Sequence, residues 1–214
     1  LVVAYPEQLF EGTLSGGLKD VTIRPGQTTP TGAATALPAQ FDVNHVSEDG
    51  ESVIFEAVSA GNFQVFRRAA GATVEVSAPA AGVVDPKGPQ SANFAGASPD
   101  GSVVYFTSKG KLTADAQTGT NDTSANLYRY EVATGALTDL TVLGETLPGV
   151  NQVLVSRNGK SVYFTATGAL VGGATAGKQN LYRWSEANGL SFIATLAAND
   201  QMATGTEGPG AAAA

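Results

Sequence analysis

Three stretches of this chain repeat one another. "SEDGESVIFEA" runs over residues 47–57, "SPDGSVVYFTS" over 98–108 and "SRNGKSVYFTA" over 156–166. Their leading serines, Ser47, Ser98 and Ser156, lie 51 and 58 residues apart. A recurring period of this size marks tandem supersecondary units that must stack to bury a core. Within each stretch, Asp49-Gly50, Asp100-Gly101 or Asn158-Gly159 supplies a tight hairpin turn, because both residue types tolerate positive φ. The β-branched and aromatic run that follows reads as a strand.

The frame extends in both directions. Upstream of each serine, a proline and a half-apolar stretch begin at Pro38, Pro89 and Pro148 and read as a first strand. Downstream, "QVFRR" (64–68), "NLYRY" (126–130) and "NLYRW" (180–184) read as a third strand. A glycine turn follows at Gly71, Gly135 or Gly189, and then a fourth strand, "TVEVS", "ALTDLT" or "LSFIATL". The N-terminus fits the same frame, with "LVVAY" (1–5) as a third strand and "GLKDVT" (17–22) as a fourth. The expected organisation is therefore a partial unit at 1–22 and full units at 38–77, 89–141 and 148–196, within a β-propeller region spanning 1–204. Four short antiparallel strands per unit, in tandem, are the pattern of a propeller blade. A lone four-stranded sheet cannot bury both faces, so each needs neighbours. The expected fold class is all-β, with four-stranded antiparallel blades.

Composition agrees. Only 14% of residues are charged, 26 are glycine and 43% are hydrophobic, which suits short strands and many turns better than charged helices. The net charge of −7 opposes phosphate backbones, so nucleic acid is excluded as a partner. With no cysteine, disulfides and thiolate metal sites are excluded. No run of 18 apolar residues exists to span a membrane as a helix. The chain opens on Leu1 without a basic-then-apolar leader, which reads as a mature or excised piece of something longer. Residues 205–214, "GTEGPGAAAA", read as a flexible tail or truncation.

The pattern Ser-x-Asp-Gly-x-x-Val-x-Phe … Asn-Leu-Tyr-x-Tyr … Thr-Gly-x-Leu-x-x-Leu-Thr resembles the WD-like blades of TolB-type propellers. Residues 98–141 match best and 156–196 well. Residues 47–77 match more loosely, with Gln64-Val65-Phe66 in the third strand. The Gly-His … Trp-Asp signature of eukaryotic WD repeats is absent. The resemblance implies one of two rings: part of a larger ring of roughly six to eight blades, or a four-bladed ring closed by the termini. It also implies a secreted, periplasmic or cell-surface protein of a bacterium. It does not fix function, because this fold hosts binders, scaffolds and enzymes alike.

The leading expectation is a non-catalytic binding or scaffolding propeller. Its partner would be a protein or extracellular polymer, held by loops on one face. Self-association, or docking with the remainder of a larger propeller, is a further expectation. The alternatives are a propeller accessory to a peptidase-like enzyme whose catalytic part lies elsewhere, and a carbohydrate-binding module using Trp184 as a stacking platform.

The loops between second and third strands vary most, being short in the first copy but running over 109–125 and 167–179 in the others. Variable insertions on one face are where binding tends to sit. Asp115, Asn121 and Asp122 in the longest loop offer oxygen ligands to Ca²⁺, although the spacing departs from an EF-hand. The plainer reading is a solvated Asx-rich turn. Arg67, Arg129 and Arg183 recur at one third-strand position. They read either as cations facing an anionic ligand or, since a ligand site tends to break repeat symmetry, as structural partners of nearby carboxylates and aromatic faces. Catalysis has little support. The single histidine, His45, lies in an expected strand, and no Gly-x-Ser-x-Gly elbow is present.

Overall fold

A computed structural model describes the backbone at residues 2–5, 8–13, 17–20 and 25, and all atoms at 44–118, 124–142 and 147–197. Among the described residues no helix occurs. A sheet of β1 (Val2–Tyr5), β2 (Gln8–Thr13) and β3 (Gly17–Asp20) comes first. Blade 1 holds β4 (Ser52–Ser59), β5 (Asn62–Ala69) and β6 (Ala72–Glu75). Blade 2 holds β7 (Ala92–Ala97), β8 (Val103–Ser108), β9 (Asn126–Glu131) and β10 (Ala136–Asp139). Blade 3 holds β11 (Val150–Val155), β12 (Ser161–Ala166), β13 (Asn180–Ser185) and β14 (Gly189–Thr195). Every sheet is an antiparallel meander, and the sheets do not close into a ring among the described residues.

Two details depart from the sequence reading. Residues 1–20 carry three strands, not two: β3 pairs with β2, and β1 lies one strand further along. Gln8-Leu9-Phe10 stands where Asn126-Leu127-Tyr128 stands in blade 2, so the third-strand role belongs to it and not to Leu1–Tyr5. In blade 1 the first strand is reduced, among the described residues, to a single bridge between Val46 and Val53. Residues 38–43, where that strand was expected to begin, lie outside the described residues.

The repeated turn has one construction in all three blades. The leading serine hydroxyl donates to the Asx side chain: Ser47 to Asp49 at 2.6 Å, Ser98 to Asp100 at 2.6 Å and Ser156 to Asn158 at 2.8 Å. The same hydroxyl accepts the amide five residues on, at 2.9, 2.9 and 3.0 Å. The glycine then closes the turn at positive φ, +76, +65 and +69°. One side chain therefore satisfies two strand ends, which is why serine and Asx are fixed together.

Each blade carries one cross-strand aromatic pair between its second and third strands. Phe55–Phe66, Phe106–Tyr128 and Phe164–Tyr182 stack with centroids 5.5, 5.5 and 5.4 Å apart. All six rings are fully buried, each worth about 2–3 kcal/mol in burial alone. Because successive side chains alternate faces, each blade shows its neighbours two apolar faces. Ile54 and Val65 of blade 1 meet Phe106 and Tyr128 of blade 2. Tyr105 and Leu127, on the other face of blade 2, meet Val162, Phe164 and Tyr182 of blade 3.

Blades 1 and 2 each also grip the turn of the next. Arg67 Nε donates to the Gly101 carbonyl at 2.8 Å, and the Tyr105 hydroxyl donates to the Gly159 carbonyl at 2.7 Å. The fit is close: a Cβ on Gly159 would fall 2.5 Å from Ser98 Cα. Asn44 Nδ2 ties the start of blade 1 to the Ala97 carbonyl of blade 2 at 2.8 Å.

Candidate functional site

The meander places all three serine turns at one end of the blades and both long loops at the other. The loop end is built by the residues of "Asn-Leu-Tyr". Asn180 is fully buried, and its Nδ2 donates to the carbonyls of Thr175 and Lys178, both at 2.9 Å. Its Oδ1 accepts from the Thr175 amide at 3.2 Å and the Thr195 hydroxyl at 2.7 Å. The Tyr182 hydroxyl donates to the Gly168 carbonyl at 2.6 Å and accepts from the Leu170 amide at 3.1 Å. Blade 2 repeats the device. Asn126 Nδ2 donates to the Gln117 carbonyl at 3.0 Å, and the Tyr128 hydroxyl donates to the Gly110 carbonyl at 2.7 Å. Leu112 and Leu170 are buried beneath their loops as plugs.

Blade 1 shows the converse. Its loop is a two-residue turn at Ala60-Gly61, and Gln64 and Phe66 replace the asparagine and tyrosine. Phe66 has no hydroxyl with which to hold a loop, and there is no loop to hold. Gln64 Nε2 instead reaches the Gln90 carbonyl at 2.9 Å, in the connection to blade 2.

That connection lines a cavity of about 300 Å³ at the loop end, with Gln64, Glu75, Val83, Val84, Gln90 and Leu112 in its wall. Burial pushes the Glu75 carboxyl above its ordinary pKa. Nearby, burial raises the Asp139 carboxyl to about 6, against two hydrogen bonds from Thr141 that lower it. A shallower cavity of about 440 Å³ lies at the turn end, with Asp49, Asp100, Glu186 and Lys160 on its wall. There the Ser98 hydroxyl, with the Ser102 amide and hydroxyl, holds Asp100 down at about 2.

Of the site residues expected from sequence, Arg129 and Trp184 come together, but within the packed interface between blades 2 and 3. Arg129 sits between blades 2 and 3, in ion pairs with Glu131 of its own strand and Glu186 of blade 3, the latter at 2.9 Å. Burial opposes its charge, but hydrogen bonds to Glu131, Tyr105 and Glu186 outweigh that and hold its pKa above the usual arginine value. Its guanidinium lies 5.6 Å from the centre of the Trp184 ring, whose edge meets Tyr105 at 6.2 Å. Trp184 is thus half-buried in the blade interface. Arg183 turns back on Ser161 of its own blade at 3.2 Å. Asp115 is exposed on the loop end, while Asn121 and Asp122 lie outside the described residues. Among the described residues no three His, Cys, Asp or Glu side chains group to hold a metal. His45 donates from Nδ1 to the Ile54 carbonyl at 3.0 Å and packs on Phe94, with ring centres 3.9 Å apart.

The sequence reading gave no role to Asn126, Asn180, Tyr128 and Tyr182 as loop anchors. The signal was present: the two copies with a long loop carry Asn-Leu-Tyr, and the copy without one carries Gln-Val-Phe.

No protein-family profile matches the sequence, and no curated protein sequence matches it. Several solved structures are similar. TolB from Acinetobacter baumannii is 17% identical, with a TM-score of 0.44 over 89% of this chain and 38% of its own. The tricorn protease is 12% identical, with a TM-score of 0.48 over 91% of this chain and 15% of its own. Oligogalacturonate lyase from Vibrio parahaemolyticus is 12% identical, with a TM-score of 0.48 over 90% of this chain and 48% of its own. All three are β-propeller folds, and this chain spans less than half the length of each.

Proposed function

We propose that this β-propeller region is a non-catalytic binding module that presents its loop end to a protein or extracellular polymer. The observation that carries the reading is the anchoring of loops 109–118 and 167–179 by the buried Asn126, Tyr128, Asn180 and Tyr182. Loops held by buried hydrogen bonds have already met the ordering cost of binding, which is the physical basis of pre-organised recognition. The reading calls for no cofactor, and it places the chain outside the bacterial cytoplasm, where Gly/Thr/Asn-rich loops of low charge face polymers and other proteins.

The test is surface substitution, because excising the 109–125 loop would remove Leu112 and Ala116, both part of the core. Ala114→Arg and Lys178→Glu alter exposed tips only. In cross-linking of the purified chain to an envelope extract, partners captured by the parent are lost in the double variant while its unfolding curve is unchanged. Full retention of the same cross-links sinks the placement at the loop end.

A further inference from the structure

Blade 3 ends the described array with a face built like the two faces that grip a following blade. Three positions define that face. The residue two before the leading serine touches the next first strand. His45 packs on Phe94 at 3.9 Å, and Gly96 lies so close to Val155 that a Cβ there would fall 2.6 Å from Val155 Cγ2. The second position is the strand residue paired with the recurring arginine: Ile54 with Arg67, Tyr105 with Arg129, Tyr163 with Arg183. The third is the arginine itself. In blade 1 the arginine serves the next glycine carbonyl. In blade 2 the tyrosine serves it and the arginine reaches Glu186 and Trp184.

On blade 3 the same set is Leu154, Tyr163 and Arg183. Leu154 is 42% exposed and Tyr163 38%, whereas Tyr105 is fully buried. Among the described residues, the Arg183 guanidinium hydrogen-bonds only within its own blade, to Ser161. Leu154 and Tyr163 are cross-strand partners, so the two exposed side chains stand together on one sheet face at the positions through which blades 1 and 2 meet their neighbours.

We propose that this face receives a further blade of the same repeat class, following blade 3 around the axis and opening on a Ser-x-Asp/Asn-Gly turn. Tyr163 donates to that turn's glycine carbonyl, Leu154 packs on its first strand, and Arg183 leaves Ser161 for a carboxylate beyond its third strand. The occupant is identified by what the two equivalent faces hold within this chain. The sequence of residues 198–214 contains no serine and no Ser-x-Asp/Asn-Gly pattern.

The experiment inserts a second copy of residues 144–197 after Ala197 in the full chain, which preserves the repeat spacing. Tyrosine nitration by tetranitromethane is then read by peptide mass spectrometry. In the parent chain Tyr163 reacts as an exposed phenol. In the extended chain its nitration falls about tenfold or more, since reaction then waits on local opening of the new interface. Tyr163→Phe in the original blade lowers the melting temperature of the extended chain but leaves that of the parent unchanged. A second extension built from residues 89–142, which carry the Ser98-Asp100-Gly101 turn, guards against misfolding of the first. If Tyr163 reacts at the parent rate in both extended chains, the proposal is overturned. It is also overturned if the parent chain is a dimer by light scattering with Tyr163 already protected, because the occupant is then a second copy.

Discussion

Asp139, the last residue of β10, makes the stability of this chain depend on pH in a direction opposite to that of most carboxylates. It is 7% exposed. Its Oδ1 accepts from the Thr141 amide at 2.8 Å and hydroxyl at 2.5 Å, and its buried Oδ2 has no hydrogen-bond partner among the described residues. Burial raises the pKa from 3.8 to about 6, the Thr141 bonds oppose the rise, and the charge of Asp115 adds to it. The folded state therefore holds this proton more tightly than the unfolded state. Its stabilising contribution is complete below the unfolded value and is lost as pH rises through the folded one. A rise of about two units corresponds to roughly 3 kcal/mol lost between about pH 4 and pH 7. Asp139→Asn keeps the shape of the protonated acid and cannot ionise. Urea unfolding, followed by the fluorescence of Trp184 in the adjoining interface, should show the parent midpoint falling by about 1–2 M across this window. The variant should keep only the smaller slope due to Glu75, whose half-buried carboxyl is shifted in the same direction. Asp100 works with opposite sign but at lower pH. Held at about 2, it contributes stability above 3.8 that is lost as pH falls, and its exposure limits that to under about 1 kcal/mol. A parent midpoint that rises between pH 4.5 and 7, or a variant with the parent's full slope, would refute the reasoning.

Three further outcomes follow from the repeated contacts. Gly159→Ala should cost about 2–4 kcal/mol, from its positive φ together with the 2.5 Å approach to Ser98 Cα, whereas Gly50→Ala, with the same φ but open space, should cost only about 1 kcal/mol; denaturant midpoints compare the two, and equal losses would remove the blade contact from the account. Tyr105→Phe removes the hydroxyl that serves the buried Gly159 carbonyl and should destabilise by about 1–2 kcal/mol, a loss that calorimetry would register and whose absence would argue against turn-gripping. Asn180→Ala should cost about 2–4 kcal/mol and accelerate hydrogen exchange at the amides of Thr175 and Gly177, with unchanged exchange there showing that the loop holds itself.

Much of the architecture was legible because it is written three times. Ser-x-Asx-Gly and the aromatic pair each perform one local task in every blade, and the recurring arginine keeps one register position opposite the second strand, so coincidence of pattern with position exposes them. What escaped was written once or across blades. The strand at Gln8–Thr13 was missed because "QLFEGT" lacks the tyrosine and arginine by which its counterparts were found. Trp184 was open to being a sugar platform because nothing local to β13 says that Arg129 and Tyr105, more than fifty positions earlier, will lie against it. The cavity beside Glu75 was invisible for the same reason, since its wall joins β5, the 76–91 connection and the start of the 109–118 loop.

The two ends of the blades obey different constraints, and the proposed function rests on that difference. At the turn end each Ser-x-Asx-Gly unit must fit against its neighbour, as Gly101 fits Ser52 and Gly159 fits Ser98. Any substitution there is felt by two blades at once, so the chemistry of that end is held to one pattern. At the loop end the asparagine and tyrosine fix only carbonyls and amides. Backbone groups are common to every sequence, so the anchors hold a loop without prescribing its side chains. Alanine, aspartate, threonine and lysine can stand at the exposed tips, as they do at Ala114, Asp115, Thr175 and Lys178, while the frame beneath remains the same. An array that anchors its loops through backbone groups can change what it recognises without altering how it folds. For that reason the proposed function puts recognition at the loop end and not in the acidic hollow among the turns.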